Sequence, residues 1–226
     1  MEDIELPVAQ VDIIISEWMG YFLLYEGMLD TIIWARDKYL VSGGLILPDL
    51  VTLNMVAIED SKYKKEKYEF WQNIYEVNMS CIKDVALSEP LVDYVEKPLI
   101  MSKPCTFLEL DLYKVKVADL NFSHKYQLEI TRSDTIYALV CWFDVYFSHL
   151  DNPVILSTSP YGRPTHWKQT TFYLNKMIKA KKGEVLKGSI AVKKSEKYFR
   201  NLDIKISFHY DDKKEKVDYY QLYKLR

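Results

Sequence analysis

The sequence has few of the residues that would indicate an extracellular, metal-binding or membrane-spanning protein. Its three cysteines, Cys81, Cys105 and Cys141, are odd in number and lack CxxC spacing, and its four histidines are scattered. This pattern favours free thiols in a reducing compartment, and it offers no candidate metal site. Residues 1–15 show no basic leader before an apolar core, and no apolar run approaches about 18 residues. We therefore expect neither secretion nor a membrane partner.

An excess of charge of either sign is also missing. The 226 residues include 30 Lys and Arg against 32 Asp and Glu, for a net charge of −2. This balance argues against direct nucleic-acid binding. Lysine runs at 62–67 and 176–182 are interpreted as solvated faces of helices or loops. With 49% hydrophobic residues, the chain is long enough for one large soluble domain, or for one domain and part of another.

Residues 1–48 have the pattern of a strand, a helix and a second strand. The run "VDIIISEW" at 11–18 is typical of a strand buried on both faces. Apolar residues at three- and four-residue spacing predict a helix over 26–40 that ends at the glycines of 42–44, and 45–49 is a second strand. One helix cannot cover both faces of a parallel sheet. We therefore predict that residues 1–48 are the C-terminal piece of a larger α/β domain.

After residue 48 the hydrophobic pattern changes to a period of two, which indicates antiparallel strands. One helix, at 61–75, interrupts them. We predict an α+β chain whose second domain, 49–226, is a mostly antiparallel barrel or sandwich. The expected strands are 51–58, 107–115, 126–132, 136–147, 188–194 and 202–210.

Two glutamates stand in the otherwise apolar and aromatic stretch "SEWMGYFLLYEGML". On one continuous helix Glu17 and Glu26, nine positions apart, would face opposite ways, so they can meet only if the chain folds back between them. Gly20 could relieve such a turn. Because ligands of α/β sheets bind beyond the carboxyl ends of strands, both carboxylates would then line a crevice.

Three interpretations of this pair remain open. A guanidinium ligand would match two fixed carboxylates and could stack on Trp18, Tyr21 or Tyr25. A sugar site would use one carboxylate as acid and the other as nucleophile or base. Alternatively, both glutamates only cap the turn and the following helix.

A second candidate site is "RPTHWKQT" at 163–170, in a predicted loop. His166 could act as a base or proton relay, and Trp167 could form the wall of a pocket. The alternative is that both are ordinary structural residues.

Together these stretches resemble the protein arginine methyltransferases. "SEWMGYFLLYEGML" resembles the family's double-E loop, SExMGxxLxxExM, and "THW" at 165–167 resembles its THW loop. The resemblance extends in order through "WARDKYL" at 34–40 and "GGLILPD" at 43–49, and it is greatest to type I members, which make asymmetric dimethylarginine. It implies that 1–48 end a Rossmann-like methyltransferase domain. It also implies that 49–226 form a β-barrel for substrate binding, with an inserted dimerisation arm at about 75–101, hereafter the arm.

The resemblance also implies roles for individual residues. The two glutamates would grip the substrate guanidinium and aim one nitrogen at the methyl sulfonium of S-adenosylmethionine. The implied catalytic residues are Glu17, Glu26 and His166. The implied substrate-binding residues are Trp18, Met19, Tyr21 and Trp167. The implied cofactor-binding residues are Glu2, Met28 and Thr31.

The family binds its cofactor through a glycine-rich loop, and none of the seven glycines here forms GxGxG. We therefore expect most of the S-adenosylmethionine site to lie outside this chain, and the chain alone to be inactive. The implied partners are protein substrates with Arg-Gly-rich segments or histone tails, and a second copy in a homodimer of the full-length protein. The implied location is cytoplasm and nucleus. The alternative is a non-catalytic barrel and arm that serve dimerisation or partner binding.

Overall fold

The computed structural model describes residues 6–212 and 215–226. Its first part has the predicted order of strand, helix and strand: β1 (Val11–Ile15), α1 (Leu29–Tyr39) and β2 (Leu40–Leu47). β1 and β2 pair in parallel, as expected for a βαβ unit.

The glycines of 42–44 do not end the helix as predicted. The helix ends at Tyr39, and Leu40 already has extended backbone, with φ −75° and ψ 129°. Gly43 and Gly44 therefore lie inside β2. A Cβ on Gly44 would stand 2.8 Å from the carbonyl oxygen of Asp12, so glycine here permits the close approach of the paired strand.

Helix α1 packs on the core through one apolar face and is anchored by one cation. Leu29, Ile32 and Ile33 are buried. The Arg36 guanidinium donates hydrogen bonds of 2.7 and 2.8 Å to the carbonyl oxygens of Leu112 and Val115. These bonds tie the βαβ unit to the second part of the chain.

The described residues of the second part form ten antiparallel strands in two sheets. One sheet has the order β4-β9-β7-β3-β5, with β8 also paired to β7, and the other has the order β12-β11-β10-β6. The strands are β3 (Leu50–Ile58), β4 (Leu91–Asp93), β5 (Cys105–Asp111), β6 (Phe122–Glu129), β7 (Asp134–Phe147), β8 (Val154–Ser157), β9 (Gln169–Ala180), β10 (Val185–Lys194), β11 (Leu202–Asp212) and β12 (Glu215–Leu225).

The inward faces of the two sheets share one apolar core. In β11, for example, Leu202, Ile204, Ile206 and Phe208 are buried at alternate positions. The predicted antiparallel, period-two architecture is confirmed. The predicted barrel is not closed, because hydrogen bonding among the described strands leaves two open sheets that meet through side chains.

Several boundaries differ from the prediction. β4, β8, β9 and β12 have no counterpart among the predicted strands. β9 contains Lys176 and Lys179 of the 176–182 run, so these two lysines are exposed on a strand rather than on a helix or loop. The helix expected at 61–75 is shorter: α2 spans Ser61–Lys67 and Tyr68 is its C-cap. A 3-10 helix, Glu69–Gln72, follows.

The first lysine run is not wholly solvated either. Lys64 is 2% exposed, and its ammonium donates hydrogen bonds of 2.5 and 3.3 Å to the carbonyl oxygens of Leu174 and Asn175 in β9. Burial lowers the pKa of Lys64 to about 8, because desolvation disfavours the charged form. Lys64 therefore fixes α2 to the sheet.

The arm contains α3 (Ser80–Leu87), the short strand β4 and a 3-10 helix, Lys97–Leu99. Together with α2 it covers the outer face of the larger sheet, where a second apolar cluster includes Tyr68, Leu87 and Trp142. No helix within 6–212 or 215–226 is both long and apolar enough to cross a bilayer. Within the same ranges no group of three or more His, Cys, Asp or Glu residues could hold a metal ion.

Candidate arginine-binding cleft

The two stretches singled out in the sequence line one open cleft of about 210 Å³. One wall is the segment after β1, residues 16–28, which we call the glutamate loop. The other is the segment before β9, residues 158–168, which we call the histidine loop. The lining residues are Glu17, Trp18, Met19, Gly20, Tyr21, Glu26, Met28, His166 and Trp167.

The glutamate loop folds back on itself, as the spacing of its carboxylates requires. Gly20 donates a 3.0 Å backbone hydrogen bond to Leu23, and Phe22, Leu23 and Glu26 have left-handed backbone with φ of 51°, 65° and 78°. A Cβ on Gly20 would lie only 2.0 Å from the carbonyl oxygen of Tyr25. The turn therefore requires glycine at position 20, and it brings both glutamates to the same cleft.

Among the described residues, one buried hydrogen bond joins the two loops. The Trp167 indole N–H donates to the carbonyl oxygen of Met19 over 2.7 Å, and Trp167 is only 8% exposed. Its ring packs edge-on against Phe143 at a centroid distance of 5.6 Å. The His166 ring lies on Trp167 at 3.8 Å and is exposed to solvent. Trp167 is thus anchored in the core while His166 faces the cleft.

The two carboxylates differ in their partners. Glu17 is exposed and has no hydrogen-bond or ion-pair partner among the described residues. Glu26 has one: Arg200 Nη2 lies 3.0 Å from its Oε2, and the Glu26 N–H donates to the Arg200 carbonyl oxygen over 2.8 Å. Arg200 could not be predicted from local spacing, because it stands 174 positions after Glu26, between β10 and β11.

The capping interpretation of Glu26 does not hold. Helix α1 begins after Met28 and has no side-chain cap, while the Glu26 carboxylate is directed to Arg200. One buried hydrogen-bond donor at the cleft is unsatisfied: the Trp18 indole N–H has no acceptor in the described part of the chain.

The three residues implied in cofactor binding are placed differently. Met28 is exposed and lines the cleft. Thr31, on the first turn of α1, is partly buried and does not line it. Glu2 lies outside the described residues. Of the three, Met28 is therefore the residue that the structure places at the cleft, next to the carboxylates.

Comparison with known proteins gives a consistent picture. Residues 49–213 match the family model described as the arginine methyltransferase oligomerization subdomain. The chain is 49% identical over 226 residues to protein arginine N-methyltransferase 1 of Chlamydomonas reinhardtii and 48% identical over 210 residues to that of Dictyostelium discoideum. These alignments cover 100% and 93% of this chain but 66% and 62% of the relatives. The chain thus spans slightly less than two-thirds of their length.

Solved structures show the same fold. The Trypanosoma brucei PRMT1 enzyme-prozyme heterotetrameric complex with AdoHcy matches with a TM-score of 0.96 and 36% identity, over 100% of this chain and 71% of that one. Arabidopsis thaliana protein arginine methyltransferase 10, in an open conformation, matches with a TM-score of 0.86 and 23% identity, over 100% of this chain and 73% of that one. The second likeness concerns the fold alone.

Proposed function

The chain belongs to the protein arginine methyltransferase family, and from this premise we propose that it serves methyl transfer from S-adenosylmethionine to arginine side chains of proteins. The observation that carries the proposal is the shared cleft, where the carboxylates of Glu17 and Glu26 meet His166 and Trp167. We also propose a type I product, asymmetric dimethylarginine. The similarity to protein arginine N-methyltransferase 1 of Chlamydomonas reinhardtii and of Dictyostelium discoideum supports this proposal.

The cleft suits a guanidinium ligand in charge and shape. Guanidinium is planar, stays cationic at physiological pH and offers five N–H donors, which carboxylates accept in pairs. Two exposed carboxylates, from Glu17 and Glu26, line an opening whose other surfaces include the aromatic rings of Tyr21 and Trp167. A sugar site would use the same carboxylates but would not need this cationic complementarity.

The chain's own residues would orient the substrate and accept its proton. Guanidinium is a poor nucleophile because its lone pairs are delocalised, so Glu17 and Glu26 would localise charge and fix the direction of one nitrogen. Transfer of a methyl group to that nitrogen leaves one N–H proton to remove. We assign its removal to the Glu26 carboxylate, with the exposed His166 imidazole beside the cleft as the route to solvent.

S-adenosylmethionine, when bound, supplies an electrophilic methyl group. Of this chain's residues, Met28 would contact it from the cleft and Thr31 from the first turn of α1, while Glu2 is assigned to it by family resemblance alone. The chain by itself, spanning less than two-thirds of the curated relatives, is expected to be inactive.

The Arg200 side chain would oppose substrate binding. It already occupies one oxygen of Glu26, and the two side chains are 59% and 48% exposed. An exposed pair of this kind contributes only about 0.2–1 kcal/mol, so an incoming guanidinium can displace it.

The proposal is tested with Glu17→Gln and Glu26→Gln in the complete gene product. Both changes keep the side-chain shape and remove the charge, so methyl transfer from labelled S-adenosylmethionine to an Arg-Gly-rich peptide should fall by about a hundredfold or more in each variant. Analysis of the methylated arginines by mass spectrometry tests the type I outcome.

A matched control is Glu129→Gln, which breaks an exposed ion pair with Lys103 in the second part of the chain. It should leave transfer unchanged. Activity within about threefold of the parent in the Glu17→Gln, Glu26→Gln double variant would refute the assigned roles.

The proposed substrates are Arg-Gly-rich segments and histone tails, and the proposed location is cytoplasm and nucleus, where such proteins occur. The free thiols of Cys81, Cys105 and Cys141 support a reducing compartment. Arg-to-Lys versions of the substrate peptides should receive no label, and microscopy of a tagged gene product tests the location.

A second role, oligomerisation, is favoured by a separate observation. The family model matched by 49–213 describes an oligomerization subdomain, and the arm exposes Tyr75, Val77, Val85 and Tyr94. We propose that a second copy covers this surface. Val85→Asp should then lower the sedimentation coefficient of the complete gene product, and an unchanged coefficient would exclude this surface.

A further inference from the structure

Three consecutive arm residues contact the end of the histidine loop and the first residue of β9. Asp93 Oδ1 lies 3.0 Å from the ammonium of Lys168. The Tyr94 hydroxyl donates a 3.1 Å hydrogen bond to the carbonyl oxygen of Thr165. The next residue, Val95, donates its N–H to the side chain of Gln169 over 2.9 Å. These contacts bracket His166 and Trp167, the two loop residues that line the cleft.

The contacts are built into the sheet. β4 is an edge strand that pairs with the start of β9, with Asp93 opposite Gln169. β4 therefore ends next to the junction of the histidine loop with β9. Because β-pairing fixes the register, it also fixes where Asp93 and Tyr94 lie along the histidine loop.

Lys168 has a backbone conformation that needs support. Its φ is 55°, in the left-handed region that side chains with a Cβ rarely adopt. Its ammonium lies 5.2 Å from the centre of the Tyr94 ring as well as beside Asp93. The same ion pair lowers the pKa of Asp93 and raises the pKa of Lys168, chiefly through their hydrogen bond, so both stay charged around neutral pH.

We propose that Asp93 and Tyr94 of the arm are positioning residues for the arginine-binding cleft. They hold the histidine loop on the arm, while the Trp167–Met19 hydrogen bond holds it on the glutamate loop. At its start the loop is held by the buried Thr158, whose hydroxyl bonds to the Phe143 backbone, and the following residues 161–164 are all exposed. The inference rests on the proposed function, because it assigns the loop's position a consequence for arginine binding.

The test uses Asp93→Asn and Tyr94→Phe in the complete gene product. Asp93→Asn removes the negative charge that pairs with Lys168, Tyr94→Phe removes the hydroxyl that bonds to Thr165, and neither residue lines the cleft. We expect the KM for an arginine peptide to rise by about twofold to fivefold in each variant, the range typical of one exposed polar contact, with kcat changed less. The Trp167 indole N–H, followed by NMR, should exchange with solvent faster, while the Trp34 indole N–H serves as an internal reference.

Two controls separate positioning from general loosening of the arm. Lys83→Gln breaks another arm ion pair, with Glu69 at 2.8 Å, that does not touch the loop. It should leave both KM and Trp167 exchange unchanged. Lys168→Gln should show the same effect as Asp93→Asn, and the two together should be no worse than either alone.

Unchanged Trp167 exchange in Asp93→Asn and Tyr94→Phe would overturn the proposal. So would fully additive effects of Asp93→Asn and Lys168→Gln, or an equal rise in KM from Lys83→Gln. If the parent transfers no methyl group to arginine, the proposed function fails, and the exchange measurement still decides whether the arm holds the loop.

Discussion

Among the described residues, one hydrogen bond joins the two walls of the cleft, from the Trp167 indole N–H to the Met19 carbonyl oxygen, and Trp167→Phe removes it. The bond spans 148 positions and both partners are buried, so its loss leaves the Met19 carbonyl oxygen without a donor. An unsatisfied buried carbonyl costs about 1–3 kcal/mol. The smaller ring also gives up on the order of 40 Å² of buried surface, about 1 kcal/mol. The free energy of unfolding should therefore fall by about 2–4 kcal/mol.

Urea denaturation followed by circular dichroism measures this change, and steady-state kinetics on the complete gene product should show a raised KM for arginine peptides. Trp34→Phe is the matched control, because Trp34 lies on α1 and does not line the cleft. Its effect should stay within about 1 kcal/mol. A Trp167→Phe variant that loses less than about 0.5 kcal/mol and keeps its KM would refute the reasoning.

Two further predictions concern charged groups. Arg200→Gln frees both oxygens of Glu26 and removes a cation from the cleft, so the KM for an arginine peptide should fall by about twofold to fivefold; a raised KM would mean that Arg200 assists binding. Lys64 releases its proton near pH 8 in the folded chain but near pH 10.5 when unfolded, so the unfolded state binds more protons between these values. Between these two pH values the free energy of unfolding should therefore rise with pH, by up to about 1.4 kcal/mol per unit. Urea titrations at about pH 8 and about pH 9.5 measure this rise, and the rise should be smaller in Lys64→Met.

Local pattern was sufficient for the regular parts of the fold. Period-two alternation located β3, β7 and β11 to within two residues, since one face of each strand packs on the core. The same alternation occurs in a closed barrel and in two facing sheets, so it could not distinguish them. β9 was missed because the run of lysines in its second half suggested a solvated loop, although its first half is buried.

The glutamate loop shows both what a sequence determines and where it stops. The nine-residue spacing predicted that Glu17 and Glu26 can meet only through a fold-back, because they would face opposite ways on one helix. The structure shows that fold-back, and it shows that the turn needs glycine at position 20. The motif around them, together with "THW", identified the family.

Only the tertiary structure decided what surrounds these carboxylates. Trp167, Arg200 and the arm residue Asp93 come from segments far along the chain, and the sheets bring each of them to a defined place. Contacts between residues so far apart in sequence cannot be predicted from local spacing. A residue's neighbours across the fold depend on strand order and register rather than on the adjacent sequence. The local sequence thus predicted which side chains line the cleft, and the fold decides which distant residues hold it in shape.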